Sequence, residues 1–382
     1  MTPRAKWQAF LHGEDVGPMV APLVDDWSLD MPYYWPYEEP DPYPPGHPQH
    51  GFSQQMAMAA ICGYDPLYYV GPPFVQIDPV EPIVTEYEEG GKTHIETRTA
   101  TPYGELRSVV KMDKIPYTVK PEIETEDDYR KSLWLIEKSG QIDAEESIRR
   151  GKELLAPMGE KGVVGTWWGA PGVRGVTRED LFCHLVDFPE LFRESIEAQF
   201  AVDFNKLEIL RAMGFDYLFY CVDGTEWISP DYFAEFVAPY TERTFARWRE
   251  LGGFIVWHSC GHITRFVELG YYNRFLPEIF ETMSQPPFGV LPSLRWGRER
   301  LDPRIATKGN IDLQLIHDGP VEAIRDEVRR VKAETAGWRH IIGASDDILT
   351  GTPLAHMRAF VEEARKMISI ESIESIESDV MD

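Results

Sequence analysis

The sequence is poor in positive charge. Its 382 residues include 38 lysines and arginines against 63 aspartates and glutamates, which gives a formal net charge of −25 at pH 7. Nucleic acids and anionic membranes are negatively charged, so a chain of this charge is poorly suited to bind either. A substrate with many carboxylates would need a local basic pocket that works against the field of the whole molecule.

Long apolar runs and cysteines are also scarce. The longest apolar stretches have the length of a β-strand, as at 217–221 and 254–257, whereas a membrane-spanning helix needs about 18 residues or more. The first seven residues lack the apolar core of a signal peptide. We therefore expect a cytoplasmic protein whose cysteines are reduced rather than paired in disulfides. These cysteines are Cys62, Cys183, Cys221 and Cys260.

After about residue 125, short apolar runs alternate with longer amphipathic segments. The runs predict strands at 163–167, 217–222, 254–257, 279–283, 306–308 and 341–344, and the segments predict helices at 190–213, 231–251, 263–270, 320–336 and 353–367. This alternation is typical of parallel βα units. A closed barrel and an open doubly wound sheet both fit it, but no Gly-x-Gly-x-x-Gly turn follows a strand. We therefore predict an α/β protein with a (β/α)8 TIM barrel.

The two ends of the chain follow different patterns. Residues on either side of Gly90-Gly91 alternate with a period of two, which predicts an antiparallel hairpin that turns on the two glycines. The last residues, 368–382, repeat the triplet Ile-Glu-Ser, which matches neither a helical nor a strand period. We expect one domain over 1–367, with 1–124 as an N-terminal extension that contains the hairpin, and a disordered tail.

The segment Trp257-His258-Ser259-Cys260-Gly261 follows a predicted strand directly. In a barrel this position is the carboxyl end of a strand, where the active sites of such folds lie. His258 and Cys260 are two residues apart, so in an extended chain their side chains point to one side, and an imidazole and a thiolate together suit zinc. A buried cysteine and a histidine bonded to backbone carbonyls would satisfy the same pattern.

Three further strand ends carry polar side chains that would meet at the same mouth. Asp346 and Asp347 follow the last strand and could supply a third metal ligand and an acid–base group, or cap backbone amides. Asp223 could act as a general base or orient His258, and Asn310 could bind substrate, although loop turns use the same residues. Trp167, Trp168 and Trp257 could form an apolar pocket wall or pack in the core.

The order of these motifs resembles the uroporphyrinogen decarboxylase superfamily. The similar segments are FLHGEDVGPMV (10–20), TPYGEL (101–106), SPDYFAEFVAPYTERTFARWRELGGFIVWHSCGH (229–262), KGNIDLQLIHDGPVEAIRDEVRRVKAE (308–334) and GASDDILTGTPLAHMRAFVEEARK (343–366). The resemblance implies a single barrel and one of two chemistries. Porphyrin decarboxylases bind a polyanion through an N-terminal motif with arginine, whereas cobalamin-dependent methyltransferases carry His-x-Cys-Gly and a later cysteine on zinc. The segment 30–40, DMPYYWPYEEP, contains no arginine, and His258, Cys260 and Gly261 are similar to the methyltransferase motif.

The sequence departs from that branch at one metal position. Counting back from Thr352-Pro353, the second cysteine of the family falls on Asp346, and an acidic residue of some relatives falls near Gln285, which we expect to contact substrate instead. The resemblance thus implies zinc on His258, Cys260 and Asp346. A carboxylate ligand leaves the ion more Lewis-acidic, which favours polarising an ether oxygen over activating a thiol.

The sequence therefore favours a zinc-dependent methyltransferase that moves a methyl group from a small methylated compound to a corrinoid (cobalamin) carried by a partner protein. The compound could be a methoxy-aromatic one, and barrels of this type often form homodimers. A metal-free decarboxylase or other lyase that uses Asp346 and Asp347 as acid and base is the alternative. A third hypothesis is a relative that binds a corrinoid or small molecule and has no catalytic activity.

Overall fold

The computed structural model describes residues 1–24, 35, 40–41, 44–47, 53–222, 227–259, 261–287, 289–349 and 351–367. The strands are β1 (Met19–Val20), β2 (Leu23–Val24), β3 (Leu67–Tyr69), β4 (Ile83–Glu89), β5 (Lys92–Thr101), β6 (Gly104–Lys111), β7 (Tyr117–Lys120), β8 (Val163–Gly169), β9 (Tyr217–Cys221), β10 (Phe254–Ser259), β11 (Ile279–Thr282), β12 (Ala306–Ile311), β13 (His340–Ala344) and β14 (Asp347–Ile348). The predicted tail, 368–382, and most of 30–40 lie outside the described residues.

The helices lie mainly between these strands. They are α1 (Pro3–Leu11), α2 (Ser53–Cys62), α3 (Glu126–Ser139), α4 (Ala144–Leu155), α5 (Arg178–Asp187), α6 (Pro189–Met213), α7 (Pro230–Tyr232), α8 (Ala238–Glu250), α9 (Thr264–Glu268), α10 (Tyr271–Phe275), α11 (Leu294–Arg300), α12 (Leu313–Asp318), α13 (Val321–Glu334) and α14 (Leu354–Arg365). A short π-helix, Phe233–Val237, joins α7 to α8. No helix in the described part of the chain is long and apolar enough to span a membrane.

Eight strands form one parallel sheet in the order β1-β13-β12-β11-β10-β9-β8-β3. Strands β8 to β13 thus lie side by side in chain order, as successive βα units require. The two outer strands of this order, β1 and β3, meet through Asp65, whose amide donates to the carbonyl of Val20 and whose carboxylate accepts from the Val20 amide at 2.9 Å. The sheet is therefore curled like the barrel that the sequence predicts.

The strands divide the core into an inner and an outer layer. Side chains of alternate strand residues, such as Tyr217, Phe219 and Val256, pack together inside the curled sheet, where Trp7 of α1 joins them. The residues between them, such as Trp257, pack outward against the helices in a second cluster. Because side chains alternate between the two faces of a strand, only every second residue can reach the interior and its mouth.

Asp65 also anchors the two ends of the chain. Its carboxylate, which is almost fully buried, pairs with Lys6 at 2.9 Å and with Arg365 at 2.7 Å. Lys6 lies in the first helix and Arg365 in the last, so one buried anion holds both terminal helices where the outer strands meet. Burying this carboxylate would be unfavourable without those two cations.

Strands β4 to β7 form a separate antiparallel sheet in sequence order. β4 pairs with β5 along its whole length, and the closing pair is Glu89 with Lys92, so the chain turns at Gly90-Gly91. Residues 1–124 are more than an extension, however, because β1 and β3 of the main sheet also lie within them. These two strands are only two and three residues long, too short for a periodic pattern to predict.

Candidate functional site

A row of three polar side chains crosses the inner face of the sheet. The pairing places His258 of β10 opposite Glu281 of β11, and Glu281 opposite Lys308 of β12. Oε1 of Glu281 lies 2.8 Å from Nδ1 of His258, and its Oε2 accepts from the ammonium group of Lys308 at 2.6 Å. The two carboxylate oxygens thus join an imidazole and an ammonium group on neighbouring strands.

All three side chains in this row are buried. Lys308 and Glu281 are about 1% and 0% exposed, and His258 is also buried. Burial by itself would raise the pKa of Glu281, but the Lys308 ammonium and the His258 ring outweigh it and lower that pKa to about 2. The carboxylate is therefore ionised at neutral pH and can only accept hydrogen bonds.

This charge state fixes the orientation of His258. Because an ionised carboxylate has no proton to give, the neutral ring must donate its Nδ1–H to Glu281. The other nitrogen, Nε2, lies 3.9 Å from Oδ1 of Asp346, whose side chain is 40% exposed. A histidine that donates one N–H to a buried carboxylate and turns the other nitrogen to the mouth has the usual arrangement of a metal-binding histidine.

Asp346 and Asp347 directly follow the last strand of the sheet. The amide of Asp347 donates to Oδ1 of Asp346 at 3.0 Å, and Asp347 itself pairs with Leu23 in the short β14–β2 ladder. The structure thus brings Asp346 to His258. Cys260 and Asp223 lie outside the described residues, and their assigned roles stay predictions.

The described donors fit zinc with a small adjustment. Within the described ranges, no group of three His, Cys, Asp or Glu side chains is arranged around a common ion; His258 and Asp346 supply two donors. Tetrahedral zinc with bonds of about 2.05 Å needs these donors about 3.4 Å apart, compared with the 3.9 Å found. A small rotation of the partly exposed Asp346 side chain would close this difference. The two described donors therefore fit zinc.

Only one of the three predicted pocket tryptophans lies beside His258. The ring of Trp167 is 38% exposed and its centroid is 6.2 Å from that of His258. Phe219, which the sequence did not suggest, stands 5.1 Å from His258 on the same inner face. Together the two rings form an aromatic wall beside the imidazole.

The prediction that Trp257 and Trp168 line the pocket needs correction. Trp257 is fully buried and packs edge-on against Tyr220 and Phe245, between the sheet and the helices. Trp168 is half-buried and packs against the same outer cluster. The physical reason is the alternation of strand side chains: Trp257 precedes His258 and Trp168 follows Trp167, so each points to the opposite face.

Gln285 and Asn310 lie next to each other. The Asn310 amide donates to the carbonyl of Met283 at 2.9 Å and to Oε1 of Gln285 at 3.2 Å. Both line a polar cavity of about 250 Å³, whose described lining also includes Arg330 and Ser345 but neither His258 nor Asp346. The acidic residue that the structure shows on β11 is Glu281, four residues before Gln285.

Glu281 and Lys308 are the site residues that sequence reasoning missed. Each stands in a short run that is otherwise apolar or uncharged, Ile-Phe-Glu-Thr and Ala-Thr-Lys-Gly. A charged residue inside a predicted central strand is a signal of a buried, paired group. The register that pairs the two, however, is set by contacts between strands and cannot be obtained from either run alone.

Fold and site together define a parallel, barrel-like α/β protein whose polar residues meet at the carboxyl ends of its strands. Residues 179–367 match the family model described as Uroporphyrinogen decarboxylase (URO-D). This match agrees with the resemblance of the chain's motifs to the uroporphyrinogen decarboxylase superfamily. No curated protein matches the sequence significantly.

One solved structure supports the same fold. A methyltransferase from Methanosarcina mazei is 14% identical and superposes with a TM-score of 0.61, over 95% of this chain and 98% of that one. A B12-independent methionine synthase from Shewanella sp. W3-18-1 is 10% identical, with a TM-score of 0.44 over 96% of this chain and 98% of that one. At these identities the first comparison establishes the fold alone, and the second superposition is too loose to add to it.

Proposed function

We propose that this protein is a zinc-dependent methyltransferase. It would move a methyl group from a small methylated compound, such as a methoxy-aromatic one, to a corrinoid held by a separate protein. The observation that carries the proposal is the orientation of His258, whose Nδ1 faces the buried Glu281 carboxylate at 2.8 Å and whose Nε2 faces Asp346. The family match and the fold shared with the Methanosarcina methyltransferase agree with it.

In this proposal His258, Cys260 and Asp346 hold the zinc. Cys260 follows His258 by two residues, so an extended chain would carry its sulfur to the same side. When bound, zinc would act as a Lewis acid on the ether oxygen of the donor, which makes the oxygen a better leaving group as the methyl carbon is transferred. A ligand set with one carboxylate suits this task better than one with two thiolates.

The wall beside His258 favours an aromatic donor. The rings of Trp167 and Phe219 have their centroids 5.2 Å apart, and flat aromatic substrates pack well against such rings. A porphyrin with many carboxylates fits poorly, because the chain has a net charge of −25. Asp223 and Asp347 are our candidates to accept or supply the proton at the donor oxygen.

The proposal includes the surroundings in which the protein works. We propose a cytoplasmic enzyme that docks a corrinoid protein, binds neither nucleic acid nor membrane, and forms a homodimer. The strongly acidic charge agrees with the absence of polyanionic partners.

Methyl transfer to free cobalamin tests the proposal. The purified full chain is incubated with zinc, 2-methoxyphenol and reduced cobalamin, and the change in cobalamin absorbance is followed. We expect turnover that a chelator abolishes and zinc restores. Cys260→Ala should lose both the bound zinc and the turnover. Cys183→Ala, on the exposed face of α5, is the matched control and should behave like the wild type.

Two results would overturn the proposal. A wild-type protein that binds no zinc after growth and purification with the metal contradicts the ligand set. Release of carbon dioxide from a small carboxylated compound, unaffected by chelators, would favour the metal-free lyase instead.

A further inference from the structure

Lys308 has no role in the zinc chemistry described so far, yet it lies in the same row as His258. Its side chain is about 1% exposed and its Nζ lies 2.6 Å from Oε2 of Glu281. Lysine is rarely buried to this degree unless it is paired. Its place in the interior of the sheet therefore calls for an explanation.

Lys308 compensates the charge of a buried side chain. Glu281 is fully buried, and an uncompensated buried carboxylate is strongly unfavourable. The ammonium group of Lys308 lies 2.6 Å from Oε2 of Glu281 and supplies the compensating cation.

Lys308 also fixes the rotation of the Glu281 carboxylate. Glu281 uses one oxygen for each neighbour, Oε1 for His258 and Oε2 for Lys308. The three residues stand opposite one another on adjacent strands, so the ammonium group fixes the rotation of the carboxylate from the side away from the imidazole. Without it, the carboxylate could turn about its own axis or swing toward an ion at the mouth.

We propose that Lys308 is a positioning residue, which holds Glu281 as the hydrogen-bond acceptor of His258 and keeps Glu281 out of the metal-ligand set. The orientation of His258 by Lys308 through Glu281 rests on the contacts alone. Its consequence for the ion rests on the proposed function, because it assumes that His258 Nε2 binds zinc.

Three variants test the inference. Lys308→Met removes the ammonium group and keeps much of the side-chain volume, and the double variant Lys308→Met/Glu281→Gln removes both charges, so that one of the two should fold even if the single variant does not. Lys6→Met is the matched control, since it breaks another lysine–carboxylate pair, the partly buried one with Asp65, away from the row.

Two readouts separate the inference from the proposed function. The first is the nitrogen spectrum of ¹⁵N-histidine-labelled, metal-free protein, in which the Nδ1–H signal of His258 is identified by its loss in His258→Gln. The second is zinc affinity, together with the visible spectrum of the cobalt(II)-substituted protein. We expect Lys308→Met to change the His258 signal, to weaken zinc binding about 10- to 100-fold, as changes to groups behind a ligand do, and to alter the cobalt spectrum. The double variant should match Glu281→Gln alone, because Lys308 acts through Glu281. Lys6→Met should leave all three unchanged.

The results distinguish a failure of the positioning role of Lys308 from a failure of the proposed function. If the His258 signal and the zinc affinity of the Lys308 variants match those of the wild type, the positioning role is wrong. If the wild type binds no zinc but the His258 signal still changes in the Lys308 variants, the proposed function fails while the orienting role of Lys308 stands.

Discussion

His340 should make the stability of the fold depend on pH between about 6.5 and 3. It opens β13, where its Nδ1 lies 2.8 Å from the hydroxyl of Thr307 and its Nε2 lies 2.8 Å from the carbonyl of Gly309. A carbonyl only accepts, so the neutral ring donates from Nε2 and accepts at Nδ1. Burial, only partly offset by the bond to Gly309 and reinforced by nearby Arg298, lowers the pKa of His340 to about 3.

The sign and size follow from linkage. Between the folded pKa of about 3 and the unfolded value of about 6.5, the unfolded chain binds more protons, so stability is complete above pH 6.5 and falls as the pH drops. At 1.36 kcal/mol for each pKa unit, a shift of 3.5 units (6.5 − 3) corresponds to about 5 kcal/mol. His340 keeps part of its surface exposed, so solvent screens the effect and we expect about half of it.

Denaturant unfolding at pH 7.0, 5.5 and 4.5 measures this contribution. His340→Gln keeps an acceptor and a donor but cannot titrate, so we expect the wild type to lose about 1–2 kcal/mol more than the variant between pH 7.0 and 4.5. Other histidines and the carboxylates contribute equally to both proteins and cancel in the difference. Equal losses in the two proteins would show that His340 does not titrate between its folded and unfolded pKa values as expected.

Three further predictions test other parts of the structure. Gly309→Ala should destabilise the fold by about 2 kcal/mol or more, because the residue has a φ of +129° and a Cβ there would lie 2.3 Å from the Thr282 carbonyl oxygen. Gly172→Ala is the control, because there is open space around Gly172. Equal unfolding midpoints for the two variants would contradict the prediction. Trp257→Ala should lower the free energy of unfolding by about 3–5 kcal/mol. Trp167→Ala should change stability little and raise the KM for a methoxy-aromatic donor about fivefold to tenfold. The reverse pattern would show that Trp257, and not Trp167, lies at the mouth. Burial alone would raise the pKa of Glu281, but Lys308 and His258 lower it to about 2. The contribution of the ionised Glu281 to stability is therefore complete above about pH 4.5 and is lost as the pH falls toward 2. Glu281→Gln should lack this loss in acid titrations, and an unchanged acid transition would argue against the ionised carboxylate.

Local patterns predicted the regular part of the fold well. All six strands expected after residue 125 form, and the structure shows in addition that Thr125 and Thr177 cap the helices that follow them. These features depend on neighbours in sequence, namely apolar runs and side chains that bond to amides three residues ahead. The strands β1 and β3 were not predicted, because pairing across the sheet and the bonds of Asp65 define them.

The site was predicted in its position and only partly in its members. The strand end at His258 and the nearby Asp346 followed from the rule that barrel active sites lie at the carboxyl ends of strands. Trp257 was assigned by closeness in sequence, although alternation along the strand already places it opposite His258. Glu281 and Lys308 depend on the register of three strands, which follows from packing rather than from any one segment.

The proposed function depends on His258 binding zinc through Nε2 together with Cys260 and Asp346. A crystal structure of the zinc-loaded protein, with anomalous data at the zinc edge, would show these ligands. We expect one ion per chain, with His258 Nε2 about 2.0–2.1 Å away, Cys260 Sγ about 2.3 Å away and an Asp346 oxygen at about 2.0–2.2 Å. An anomalous peak elsewhere, or none beside His258, would contradict this expectation.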